Sequence, residues 1–92
     1  MMSMSMSSEA RQRERERQDR ELLAYLARRQ APTRAEIVNV ADAARALDWP
    51  VQTVLGTAER LKAQWLVQLV DALEPEPYLF ITSEGRRCLS RG

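Results

Sequence analysis

Cys88 is the only thiol in the chain, and no histidine accompanies it. Without an imidazole the usual general acid–base player is missing, and no base is positioned to build a nucleophilic pair or triad. One cysteine and no histidine leave no zinc-ligand cluster, and no glycine-rich loop cradles phosphate. Cys88 lies beside Arg86 and Arg87, which raises a redox-sensor reading. A buried, inert thiol on the packed face of the last helix is preferred. Glu74 and Glu76 form a carboxylate pair, but with no histidine they read as solvated charge or as a contact for a basic partner protein. The inventory argues against an enzyme and asks for no cofactor and no metal. What remains is hydrogen-bonding and ionic chemistry, carried by Gln, Thr, Arg and Lys side chains.

Ninety-two residues allow one small domain with a thin core. The apolar fraction of 45% is ordinary for a globular chain. A net charge of +1 gives no global basic field, but the charge is unevenly spread. Residues 1–31 hold seven Arg against five acids, whereas residues 65–83 hold Asp71, Glu74 and Glu76 and no base. A lone cysteine excludes an internal disulfide and predicts a reducing, cytoplasmic location. No apolar run approaches the roughly 18 residues of a membrane-spanning helix. The start, MMSMSMSS, is not a secretory signal.

The elements that position these side chains follow from local patterns. Residues 1–8 alternate Met and Ser and predict a disordered tail. Residues 9–21 are all charged, Gln or Ala and predict a solvated helical extension. Glu9–Arg13 and Glu16–Arg20 support it at one-turn spacing, while Arg11–Arg15 and Arg13–Arg17 oppose it. Its interleaved acids weaken a reading as a basic arm along phosphates.

From residue 22 to 92 the pattern is that of the folded domain. Leu22, Leu23, Tyr25, Leu26 and Ala27 give a first helix an apolar face, ending near Gln30. Thr33 to Glu36 fits a capping box and predicts one helical turn. Ile37 and Val38 predict a short strand, and Asn39 caps a second helix over about 40–47. Asp48 and Trp49 make the turn into a third helix, about 50–64, with Pro50 in its first turn. Val51, Val54, Leu55, Ala58 and Leu61 form its inward stripe. Gln52, Thr53, Gly56, Thr57, Glu59, Arg60 and Lys62 are left outward. Strands over 66–70 and 78–81 flank a connection with two prolines. Thr82 or Ser83 caps a last helix over about 84–89. Trp49 and Trp65 are expected to pack in the core.

Three places carry a family resemblance. Asp42-Ala-Ala-Arg-Ala-Leu-Asp-Trp49 followed by Gln52-Thr-Val54 resembles the helix-turn-helix of bacterial winged-helix regulators. Glu59-Arg-Leu-Lys-Ala-Gln-Trp-Leu-Val67 resembles the end of their recognition helix running into the first wing strand. Leu79-Phe-Ile-Thr-Ser-Glu-Gly85 resembles their exit from the wing. The regulators of multiple-antibiotic-resistance and PadR type are the nearest forms. The resemblance implies an α+β, mostly α, winged helix-turn-helix with a long amino-terminal helix and a β-hairpin wing. It also implies a small transcription regulator, acting as a homodimer, whose third helix docks in the major groove of double-stranded DNA. By position Gln52, Thr53, Thr57, Arg60 and Lys62 are then the DNA-binding residues. Gln suits adenine, Thr a thymine methyl, and Arg or Lys guanine or phosphate. Arg45 and the amino-terminal arginines would assist at phosphates.

This chain departs from the pattern in its wing, where Glu74 and Glu76 stand in place of the usual Arg or Lys and would be repelled by phosphate. Asp48 replaces the turn glycine, a position Asp tolerates in left-handed conformation. No Ser or Thr cap precedes the third helix. The acidic wing and near-neutral charge support an alternative reading, a winged-helix protein–protein interaction module using that wing and the Arg-rich extension.

Overall fold

The stripe of Leu22, Leu23, Tyr25 and Leu26 turns the second half of one long helix, α1 (Ser3–Arg29), into the core. The computed structural model describes residues 3–31, 33–70 and 77–91. Two short strands follow α1, β1 (Gln30–Ala31) and β2 (Arg34–Ala35), and then β3 (Val38–Asn39). Helices α2 (Val40–Leu47) and α3 (Val51–Ala63) form the helix-turn-helix. Strands β4 (Val67–Val70) and β5 (Tyr78–Ile81) form the wing, and α4 (Ser83–Arg91) closes the described chain.

The wing sheet has the order β3-β5-β4, antiparallel throughout, with Val67 opposite Ile81 and Val38 opposite Leu79. Alternation along β5 sends Leu79 and Ile81 inward against Leu22, Leu26, Val54 and Leu61. This is the α+β, mostly helical architecture expected from the sequence. The Glu74–Glu76 tip lies outside the described residues.

Several expectations are corrected. The helical turn predicted at Thr33–Glu36 is instead an antiparallel pairing of β1 with β2, Gln30 opposite Ala35. The cause lies far away in sequence. The buried Gln30 side chain donates to the carbonyls of Leu79 (2.7 Å) and Glu36 (3.1 Å) and accepts from the Ile81 amide (2.8 Å). That fixes the chain leaving α1 against the sheet, and Glu36 folds back to bond the Arg29 carbonyl. Residues 3–8, expected to be a disordered tail, continue the helix, so α1 runs unbroken for 27 residues.

Trp65, expected in the core, is 79% exposed, while Trp49 and Cys88 are half-buried against the core. The Thr82 hydroxyl caps α4 by accepting from the Gly85 amide at 3.0 Å. Gly85 is needed there. A Cβ would sit against the Leu66 carbonyl oxygen, 2.8 Å from Cγ1 of Ile81 and 3.3 Å from Cδ2 of Leu23.

Candidate nucleic-acid interface

Local chemistry sets the angle between α2 and α3. Asn39 Oδ1 accepts from the Asp42 amide at 2.7 Å, and Asp42 Oδ2 accepts from the Asn39 amide at 3.3 Å. This reciprocal capping box fixes where α2 begins. At its far end Asp48 takes a left-handed conformation, φ 58 and ψ 45. The Trp49 amide then bonds the Ala44 carbonyl (2.9 Å) and the Asp48 amide that of Arg45 (3.4 Å). These bonds form a Schellman closure, with aspartate where glycine is usual. Pro50 is extended and stands at the N-cap of α3 rather than inside its first turn. Its carbonyl starts the helix by accepting from the Thr53 and Val54 amides.

The α3 helix is buried on two sides, because α2 packs on one flank and α1 on another. Val54, Ala58 and Leu61 face the core as expected. Val51, expected inward, is 42% exposed. Thr57, expected outward, is fully buried, and its hydroxyl accepts from Nη2 of Arg60 at 3.2 Å. It therefore cannot reach a base edge. Arg60 is half-buried and turned toward α1, where its guanidinium binds Asp19 Oδ1 at 3.0 Å and Gln18 Oε1 at 3.3 Å. Nothing in the local sequence marks Asp19, a partner 41 residues away along the chain.

Gln52, Thr53, Gly56 and Arg60 share one wall of an open cleft, whose other wall is the charged half of α1. Gln52 is exposed, Thr53 and Gly56 are half-exposed, and a Cβ at Gly56 would meet nothing within 4 Å. Lys62 is exposed but lies apart, in a groove with Glu59, Trp65 and Val70. Arg45 stands near the turn with its side chain 78% exposed and paired to Asp42 at 2.9 Å. The structure thus brings Gln52, Thr53 and Arg60 together and leaves Lys62 and Arg45 on neighbouring surfaces. Among the described residues no helix is long and apolar enough to cross a membrane.

No protein-family model and no curated protein matches the sequence. Solved structures do match in shape. The chain resembles MepR of Staphylococcus aureus in complex with DNA, with 23% identity and a TM-score of 0.68 over 99% of this chain and 75% of that one. It resembles the transcriptional regulator BldR of Sulfolobus solfataricus, with 17% identity and a TM-score of 0.65. It also resembles BpsR of Bordetella bronchiseptica, whose DNA binding is regulated by 6-hydroxynicotinic acid, with 24% identity and a TM-score of 0.64. The chain spans about half the length of BldR and BpsR. These likenesses bear out the fold that the sequence predicted, a winged helix-turn-helix.

Proposed function

We propose that the chain is a DNA-binding transcription regulator that docks α3 in the major groove. The observation that carries this reading is the open face of α3 at Gln52 and Thr53, held at a fixed angle by the Asp48 turn. Gln52 is the candidate for bidentate pairing with adenine, and Thr53 for a thymine methyl. Lys62 and Arg45 serve as phosphate contacts. Arg60, engaged by Asp19, positions α3 rather than reading a base. The solved MepR–DNA complex, similar in fold, supports the partner class.

Helix-turn-helix proteins commonly bind as dimers with half-sites about 34 Å apart, and a homodimer is the assembly that goes with this reading. Such a regulator acts in the cytoplasm, which the lone Cys88 fits.

Fluorescence anisotropy with random duplex DNA across a salt series tests the reading. Micromolar binding with a steep log–log salt slope supports it. In an operator screen Gln52→Ala then relaxes specificity at one position, with a cost of about 1–3 kcal/mol. Absence of binding at low salt overturns it in favour of a protein-interaction module. The observation that favours this second reading is the exposed Trp65.

A further inference from the structure

Arg11 and Arg15 stand one turn apart on α1, both exposed, and neither is ion-paired among the described residues. Their neighbours differ. Arg13 pairs with Glu9 at 3.6 Å, and Arg17 holds both Glu14 and Glu21. Two like charges at this spacing repel and work against the helix that carries them. Both arginines line the cleft opposite Gln52, Thr53 and Gly56.

The acid in the cleft lining and the one beside Arg60 are already occupied. Glu14, also in the lining, is clamped by Arg17, whose hydrogen bond holds its carboxyl below the usual value. Asp19 is bound to Arg60. One wall of the cleft is therefore left with two uncompensated guanidinium groups.

We propose that this cleft receives the sugar–phosphate strand bordering the major groove, with Arg11 and Arg15 as its phosphate contacts. The inference rests on α3 being the groove-docking helix. A helix with its side chains is about 10–12 Å across, and the groove is about 12 Å wide. The groove therefore has room for α3 alone, and α1 alongside it meets the ridge, not the bases. Guanidinium forks match phosphate oxygens. Arg11 and Arg15 are separated by about 6 Å along the helix, on the order of the distance between neighbouring phosphates of one strand. The empty space over Gly56 leaves the α3 wall of the cleft clear for a backbone to enter.

The test compares Arg11→Gln/Arg15→Gln with Arg13→Gln/Arg20→Gln in the full chain. Each variant removes two charges and keeps good helix formers. Arg13 faces Glu9, and Arg20 lies beside Cys88 and Leu89 of α4, so the second variant spares the cleft. Affinity for random duplex is read by anisotropy across a salt series, with helicity checked by circular dichroism. The cleft variant is expected to lower the log–log salt slope by about 2 and to weaken low-salt binding roughly tenfold. The control variant should lose less than half as much. Equal losses in both variants, no loss in the cleft variant, or tighter binding by it would each overturn the inference. Wild type that binds no DNA overturns the α3 reading and this inference together. Binding that depends on Gln52 and not on Arg11 and Arg15 overturns the inference alone.

Discussion

Arg60 on α3 directs two guanidinium nitrogens at one carboxylate oxygen of Asp19 on α1, Nε at 3.2 Å and Nη2 at 3.0 Å, across 41 residues of sequence. The side chains are 33% and 22% exposed, so water screens the pair only partly. Arg60→Ala and Asp19→Ala should each destabilise the fold. A double-mutant cycle by urea denaturation should return a coupling of about 1–2 kcal/mol. Purely additive losses would mean that the pair contributes no mutual stabilisation.

Gln30 makes a sharper stability prediction. It is 3% exposed and satisfies three backbone groups, on Glu36, Leu79 and Ile81. Gln30→Leu keeps the approximate volume but strands those groups in the core. The expected loss is about 2–4 kcal/mol, read as a lower denaturation midpoint. A loss below 1 kcal/mol would show that the strands relax to find other partners.

The two described glycines should respond with opposite signs. Gly85→Ala drives a methyl against the fixed Leu66 carbonyl and should cost about 1–3 kcal/mol. Gly56→Ala meets empty space in the middle of α3 and should stabilise by about 0.5–1 kcal/mol. Thermal melts of the two variants check both signs.

Trp65 is held left-handed at φ 64, where a bulky residue is strained. Its amide bonds the Lys62 carbonyl and the next amide, of Leu66, bonds that of Leu61, the Schellman pattern that favours glycine. Trp65→Gly should therefore raise stability by about 1 kcal/mol in spite of removing the largest side chain type. A fall in stability would show that the indole packs more than its exposure suggests.

Much of the fold was legible where its determinants are local. Asn39 with Asp42 fixes the start of α2, Asp48 its end, and the alternation of residues 78–81 their strand. Gln30 and Thr57 depart from their local patterns because their partners are distant. Gln30 is polar and ends a helix, yet β5 buries it. Thr57 falls outside the apolar stripe of α3, but α1 packs over that side of the helix and Arg60 satisfies its hydroxyl. Trp65 departs for a local reason: its place at the strand entry matches a core position, whereas the closing turn of α3 directs it outward. The candidate site was legible only in part for the same reason as Thr57. Helical periodicity found Gln52 and Thr53, but no pattern within α3 reveals that α1 forms the second wall.

The contrast between Trp49 and Trp65 also equips the protein with two native optical probes. The indole of Trp65, open to water beside Lys62, should emit at long wavelength and be readily quenched by acrylamide. Trp49, half-buried at the turn before α3, should emit further to the blue and resist the quencher. Single Trp→Phe variants separate the two signals, so unlabelled protein can report which end of α3 a bound molecule covers.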